Sequence, residues 1–306
     1  MLAGKDLLSV QDLSAQEIKA VFDRTRAFKR RPFGTQLKNK TLVMLFAKPS
    51  TRTRVSFEVG INQLGGDDIY LEFHDAQVSR GETIADTARV LSRYCDGIVA
   101  RLFAHADLVE MAATADVPVI NGLTDLFHPC QALTDLFTIE EKLGRLRGLK
   151  LAFVGDGNNN ITHSLMHACS KLGVHLAVAS PKGYGPRPEV VADFRKNAAT
   201  TGAQLWLVTD PVQAATGADV VYTDTWVSMG EEAQAAARER ALRPYQVNRQ
   251  LLAHAPRALV MHDLPAHRGQ EIASEVMDGP RSIIFDQAEN RLHVEKALLA
   301  LIFGKG

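Results

Sequence analysis

The chain has 306 residues, 46% of them apolar and 23% charged, which is typical of a globular protein with two domains. Lysine plus arginine equals aspartate plus glutamate at 35 each, and this balance argues against a general nucleic-acid-binding protein. The sequence shows neither a membrane-spanning apolar run nor a signal-peptide pattern, so it predicts a cytoplasmic protein without a membrane segment. The separated cysteines Cys95, Cys130 and Cys169 indicate reduced thiols without metal-binding spacing.

Strands and helices are predicted to alternate along most of the chain. A capping box at Ser14 and Glu17 starts the first helix. Two series of strands follow: Leu42–Phe46, Ile69–Phe73, Gly97–Arg101 and Val117–Ile120, then Lys150–Gly155, His175–Ala179, Gln204–Val208, Val220–Thr223 and Ala258–Met261. A last strand is predicted at "SIIF", residues 282–285, before a helix over 289–303. This pattern predicts an α/β fold with two doubly wound parallel-sheet domains joined by interdomain helices.

The junction between the two domains is predicted in the helical segment 130–148. The first domain then covers 1–147 and is completed by the C-terminal helix, 289–306, while the second covers 148–288. A helix over 231–242 is predicted to be solvated.

The stretch "KPSTRTR", residues 48–54, lies where the first strand ends and a helix begins. Free N–H groups at a helix start suit an anion, and the hydroxyls of Ser50, Thr51 and Thr53 add donors. Arg52 and Arg54 can bind phosphate oxygens or brace the loop against acidic neighbours. The pattern favours phosphate over a merely capped helix, and it is not a Walker A loop.

A second cluster, "FHPCQ", stands between a strand-like segment and a helix with Pro129 in its first turn. His128 is able to donate to an oxyanion or a carbonyl oxygen, although a lone histidine is more often structural. Gln131 adds an amide on the same rim.

Further polar residues follow the strands of the second series. The loop "GDGNNN" has two glycines of a dinucleotide motif but Asn160 at the third, so its amides suit a small polar ligand better. Asp224 ends a strand and can hold a cation. His262 and His267 match no standard metal spacing, and no metal is predicted. Arg291 is predicted in the first turn of the last helix, where a surface charge is the alternative.

Together these motifs resemble the aspartate/ornithine carbamoyltransferase family along almost the whole chain. The resemblance rests on S-T-R-T-R, on H-P-C-Q and on the segment 81–94, "GETIADTARVLSRY". Asn159-Asn160, D-T-W-V-S-M-G at 224–230 and H-D-L-P-A at 262–266 favour the ornithine branch. Asp224 would complement a diamino acid, whereas an aspartate-specific relative is expected to carry arginines there.

The resemblance implies a role for each matching residue. Carbamoyl phosphate binding falls to Ser50, Thr51, Arg52, Thr53, Gln77, Arg101, His128, Pro129, Cys130, Gln131, Leu264 and Arg291. Ornithine binding falls to Asn160, Asp224, Ser228, Met229, Asp263 and Leu264. The residues implied in catalysis are Arg101, His128, Thr53 and Asp263. Gln77 is expected to come from the neighbouring subunit of a homotrimer, or a multiple of one, with a shared active site. No metal or organic cofactor is implied.

The implied reaction transfers the carbamoyl group of carbamoyl phosphate to the δ-amine of L-ornithine, in arginine biosynthesis or the arginine deiminase pathway. One position departs from the family pattern H-C-L-P, because this chain has Asp263 after His262. The departure leaves two alternatives: another acceptor, such as putrescine or an acylated ornithine, or a weakly catalytic regulatory paralogue that binds carbamoyl phosphate. Asp263 is expected to face the acceptor amine; otherwise it points away and caps the following turn.

Overall fold

The computed structural model describes residues 2–227 and 232–304 of the chain. Its first α-helix, α1 (Ala15–Arg30), begins at the predicted capping box: the Ser14 hydroxyl accepts from the Glu17 N–H, and the Glu17 carboxylate accepts from the Ser14 N–H. Within the described residues, no helix is long and apolar enough to cross a membrane.

The chain divides into two compact units. The first is Met1–Thr134 with Glu289–Gly306, and the second is Asp135–Ala288. Two helices, α5 (Pro129–Leu143) and α12 (Ile284–Phe303), therefore contribute residues to both units. The predicted limits of the functional domains, 1–147 with 289–306 and 148–288, remain predictions.

The first unit is built on a four-stranded parallel sheet with the order β2-β1-β3-β4. Its strands are β1 (Thr41–Phe46), β2 (Asp67–Glu72), β3 (Gly97–Arg101) and β4 (Val119–Leu123). The helices α2 (Thr51–Gln63), α3 (Ile84–Leu91) and α4 (His105–Thr114) alternate with these strands. The central strands β1 and β3 are almost entirely apolar and buried, as expected for a sheet that is covered on both faces.

The second unit contains a five-stranded parallel sheet with the order β7-β6-β5-β8-β9. Its strands are β5 (Lys150–Val154), β6 (His175–Ala179), β7 (Leu205–Val208), β8 (Val220–Thr223) and β9 (Leu259–His262). Its helices are α6 (Asn160–Leu172), α7 (Pro188–Thr201), α8 (Pro211–Ala215), α9 (Ala235–Leu242), α10 (Arg249–Leu252) and α11 (Ser274–Met277). The two parallel sheets confirm the predicted fold class.

Each sheet reverses its strand order beside its first strand. β1 lies between β2 and β3, and β5 lies between β6 and β8. In open parallel sheets, ligands bind at the carboxyl ends of the strands next to such a reversal. The predicted polar clusters follow β1, β3, β5 and β8, so the topology places them at the two reversal points.

One predicted strand was wrong. Residues 282–285 form no strand; Ser282 makes only an isolated bridge to Val260, and α12 already begins at Ile284. The apolar run was misleading because Ile284, Gln287, Asn290 and Val294 are buried at helical spacing. Arg291 consequently lies two turns inside α12 and not in its first turn.

Candidate active site

The start of α2 has the geometry of an anion-binding helix terminus. Ser50 is its N-cap, and the Ser50 hydroxyl lies 3.3 Å from the Thr53 N–H and 3.1 Å from the Thr53 hydroxyl. Thr51 and Arg52 occupy the first turn, where backbone N–H groups have no helical acceptor. Ser50 thus organises the start of the helix, and Thr51 and Arg52 present hydrogen-bond donors.

The two arginines of the loop have different environments. Arg54 donates to Glu58 at 2.6 Å, and its guanidinium stacks on the ring of Tyr70 at 3.7 Å from the ring centroid. Arg54 therefore braces the helix against the edge strand β2. The two arginines were predicted either to bind phosphate or to brace the loop. Arg54 braces it, so phosphate binding stays a prediction for Arg52.

Thr53 joins α2 to two further guanidinium groups. Its hydroxyl oxygen accepts from Arg101 at 3.4 Å and from Arg291 at 3.2 Å. Thr53 and both arginines are at least 93% buried, although they come from three distant parts of the chain. Arg101 is the last residue of β3, so this strand ends at the predicted site.

His128 and Gln131 lie at the start of α5, on the same side of the cluster. Arg291 donates to the Gln131 amide oxygen at 2.5 Å and lies 3.5 Å from Nε2 of His128. Burial, followed by the charges of Arg291 and Arg101, holds the pKa of His128 well below its ordinary value. His128 is therefore a neutral imidazole near neutral pH, suited to hydrogen bonding and not to carrying a positive charge.

Arg291 is a buried hub of this cluster and not a surface charge. Glu295, one turn later in α12, accepts from its Nε and Nη2 at 2.9 and 2.8 Å. A buried guanidinium requires such a counter-charge. Sequence reasoning missed Glu295, although its position four residues after an arginine on one helix was a usable signal.

Two other predicted residues show what their side chains can contribute. The buried Cys130 thiol lies 3.6 Å from the Asn121 carbonyl oxygen, and burial raises its pKa, so only its backbone can serve a ligand. Gln77 is exposed and begins a short 3₁₀ helix, Gln77–Arg80, after the sheet edge.

In the second unit, two asparagines mark the start of α6. Asn159 is the N-cap: its side-chain oxygen accepts from the Thr162 N–H at 2.7 Å, and its amide donates to Asp224 at 3.1 Å. Asn160 is the first helical residue. Only Asn160 was predicted as a site residue, and Asn159 is the residue that links this helix to Asp224.

Asp224 and Asp263 form a pair of neighbouring carboxyl groups. They follow β8 and β9, and each lies within 4.8 Å of the other and of His262. Burial, then the charge of Asp263 and a hydrogen bond to it, raises the pKa of Asp224 well above its ordinary value. Asp263 thus lies beside Asp224, and its expected position facing the acceptor amine stays a prediction.

His262 makes two hydrogen bonds that occupy both ring nitrogens. The Leu264 N–H donates to Nδ1 at 2.9 Å, and Nε2 lies 3.1 Å from Glu271. The trio Asp224, His262 and Asp263 has donor atoms close enough for a metal ion, but this histidine already has partners for each nitrogen.

Two predicted ornithine-binding residues, Ser228 and Met229, lie outside the described residues. The segments on either side are described. Arg238, on α9, donates from Nε to the Trp226 carbonyl at 2.8 Å and forms a buried ion pair with Asp156 in the loop after β5. The helix predicted as solvated therefore carries one buried arginine that sequence reasoning missed.

Two family models match this chain. Residues 5–141 match the family description "Aspartate/ornithine carbamoyltransferase, carbamoyl-P binding domain", and residues 147–302 match "Aspartate/ornithine carbamoyltransferase, Asp/Orn binding domain". The chain belongs to the aspartate/ornithine carbamoyltransferase family.

The similar proteins share one name within that family. An ornithine carbamoyltransferase of Thermococcus kodakarensis is 54% identical, covering 99% of this chain and 98% of its own. One of Symbiobacterium thermophilum is 55% identical, with 98% of each covered. The solved ornithine carbamoyltransferase of Pyrococcus furiosus has a TM-score of 0.95 at 52% identity, covering 99% of this chain and 98% of that chain.

Proposed function

We propose that this protein transfers the carbamoyl group of carbamoyl phosphate to the δ-amine of L-ornithine, releasing L-citrulline and phosphate. The observation that carries the proposal is the buried cluster around Arg291, where polar side chains from α2, β3 and α5 converge. Such a cluster suits an anion that also carries a carbonyl group. Membership in the family supports the same reaction.

The phosphate group is proposed to bind at the start of α2. Ser50, Thr51 and Thr53 supply hydroxyl and backbone donors, and Arg52 supplies a charged fork. Arg101 and Arg291 add positive charge beside Thr53. As the bond to the carbamoyl carbon breaks, these groups neutralise the leaving phosphate.

The carbamoyl group is proposed to lie against the start of α5. His128 donates an N–H to the carbonyl oxygen, and Arg101 and Thr53 stabilise the negative charge that this oxygen gains when the amine attacks. Gln131 and the backbone at Pro129 and Cys130 orient the group. The low pKa of His128 fits this role, because a neutral histidine can donate one hydrogen bond without losing a proton.

The amino acid is proposed to bind beside α6 and the ends of β8 and β9. Asn160, Ser228 and Met229 would hold its α-amino and carboxylate groups, and Asp224 would bind its cationic δ-ammonium. The ammonium must lose a proton before it attacks, because only the neutral amine has a free electron pair. The pair of Asp224 and Asp263 can accept that proton, since the raised pKa of Asp224 brings it closer to that of an amine. The Leu264 carbonyl is proposed to bind the carbamoyl amide.

A homotrimer with a shared site is also part of the proposal. The edge of the first sheet supports it: Ile69 on β2 and Val55 on α2 are 53% and 49% exposed, an apolar surface suited to another subunit. The exposed Gln77 follows this edge and would complete the neighbour's site.

Mixing Gln77→Ala with Arg101→Ala subunits should restore activity in hybrids. No recovery, with mixing verified, would place the whole site in one chain.

The reaction itself is tested with purified protein, carbamoyl phosphate and a panel of acceptors. Citrulline should form with L-ornithine. The other acceptors, putrescine, N-acetylornithine and L-aspartate, should react at least about tenfold more slowly, which corresponds to a difference of 1.36 kcal/mol in activation free energy. A faster rate with putrescine would identify putrescine as the acceptor. This alternative is tested because Asp263 stands where the family has a cysteine. A cytoplasmic location and a biosynthetic role stay predictions.

A further inference from the structure

His262 is a buried histidine next to Asp263 that the proposed chemistry does not use. It ends β9, and its side chain is fully buried. The Leu264 N–H points at Nδ1, so this nitrogen has its electron pair free to accept and carries no proton. The proton is therefore on Nε2, which donates to the Glu271 carboxylate at 3.1 Å. These two hydrogen bonds define one tautomer of the ring.

The backbone of His262 is held as firmly as its ring. Its N–H donates to the Gln287 side-chain oxygen at 3.1 Å. The Gln287 amide in turn donates to Asp135 at 2.7 Å and to the Tyr222 hydroxyl at 3.0 Å, and that hydroxyl donates to Asp135 at 3.1 Å. All of these residues are buried, so the end of β9 is tied to α5, β8 and α12 by a connected polar network.

The turn after His262 needs such support. Leu264 has a φ of +63°, in the left-handed region that residues with a Cβ rarely adopt. A conformation of this kind persists only where its surroundings hold it. The hydrogen bond from the Leu264 N–H to His262 acts on this residue directly. Asp263 lies between the two, so the same bond limits where its carboxyl group can point.

We propose that His262 is a positioning residue, whose Nδ1 holds the turn that aims Asp263 at Asp224 and presents the Leu264 carbonyl to the substrate. Glu271 acts behind it by fixing the ring, and it also accepts from the His267 N–H. This inference rests on the proposed function, because it assigns a task to residues of the same site.

Two substitutions separate the two ring nitrogens. In His262→Asn the side-chain oxygen can take the place of Nδ1 and accept from Leu264, whereas in His262→Gln the amide can take the place of Nε2 and reach Glu271. We expect kcat/KM for ornithine to stay within about threefold in the asparagine variant and to fall about tenfold or more in the glutamine variant, the cost of one or two hydrogen bonds. The affinity for carbamoyl phosphate should fall by no more than about threefold in the glutamine variant, because the Leu264 carbonyl is one contact and the phosphate donors lie in the first unit.

The exposed His254 provides the matched control, since His254→Asn and His254→Gln should leave all constants unchanged. Equal losses in the two His262 variants, or losses that follow a common fall in melting temperature, would overturn the proposal. Should either variant fail to fold, Glu271→Gln, which keeps an acceptor for Nε2, should remain active while Glu271→Leu loses ornithine activity; equal activities would also refute it. A wild-type protein that forms no citrulline would refute the proposed function instead.

Discussion

The two halves of the proposed site solve opposite electrostatic problems. In the first unit, donors surround the site: two helix starts, three hydroxyls and the guanidinium groups of Arg52, Arg101 and Arg291. In the second, acceptors dominate, with Asp224 and Asp263 at the ends of neighbouring strands. One half is built for an anion and the other for a cation, which matches a donor phosphate and an acceptor ammonium.

The halves also differ in how their charges are held. Arg291 has a buried counter-charge in Glu295, so this charge of the basic half is paired within its own helix. Asp224 has a like charge as its neighbour, and its pKa is raised as a result of burial and of Asp263. The basic half is therefore arranged to bind, and the acidic half is arranged to exchange a proton. Five substitutions examine this difference.

The largest effect is expected for Arg101→Leu. Removing one preplaced donor to a developing oxyanion lowers kcat by about 100- to 1,000-fold. Single-turnover measurements of citrulline formation would show the loss in the chemical step. The exposed Arg93 serves as the control, because Arg93→Leu should retain full activity. A decrease of less than tenfold would mean that Thr53 and His128 stabilise the oxyanion without Arg101.

Arg52→Ala is expected to weaken carbamoyl phosphate binding. A lost charge-assisted hydrogen bond costs about 1.5–3 kcal/mol, which raises the Kd by about 10- to 100-fold. Calorimetric titration measures this directly. Arg54→Ala is a closely matched control, two residues away, because Arg54 is already engaged by Glu58 and Tyr70. Equal weakening by both variants would contradict the division of roles between them.

Asp263→Cys should change the pH dependence on the acidic side only. Burial and the neighbouring Asp263 raise the pKa of Asp224; removing that neighbour lowers it, so the acid limb of kcat/KM for ornithine moves to lower pH. We expect a shift of about one unit, equivalent to 1.36 kcal/mol. An unshifted limb in an active, folded variant would show that the two carboxyl groups do not interact in catalysis.

The same pair makes a prediction about stability. Because the folded-state pKa of Asp224 is raised, the folded protein binds more protons than the unfolded chain, and this contribution to stability falls as pH rises above the unfolded value of about 3.9. Asp263→Asn should therefore raise the melting temperature near neutral pH and have little effect below about pH 4. An equal change at both pH values would point to packing instead of charge.

The smallest effect is expected for Arg238→Lys. Two nitrogens of this guanidinium contact two different acceptors, Asp156 and the Trp226 carbonyl, and one ammonium cannot reproduce that fork. We expect KM for ornithine to rise about three- to tenfold, the value of one hydrogen bond, with KM for carbamoyl phosphate unchanged. Arg240→Lys, on the exposed side of α9, should change neither constant. A parallel rise in both KM values would indicate general loosening.

The sequence predicted the basic half better than the acidic half for a physical reason. "KPSTRTR" and "HPCQ" are contiguous, and each combines donors with a helix start, so local rules already indicate an anion. The roles of Asp224 and Asp263 came from the family resemblance. Their pairing depends on β8 and β9 being neighbours, which residues 39 positions apart do not reveal by themselves.

Local sequence alone determined the alternation of strands and helices, the capping box of α1, and the strands Gly97–Arg101, His175–Ala179 and Val220–Thr223, because periodicity and capping act over a few residues. Tertiary structure decided what local pattern could not. Residues 282–285, "SIIF", lead into α12 and form no strand, because the buried positions there recur at helical spacing. Tertiary structure buried Arg291 against Thr53 and Gln131 and Arg238 against Asp156, and it engaged both nitrogens of His262. A charged or titratable side chain is buried only where distant segments supply its partner, and that is settled by packing across the sheet.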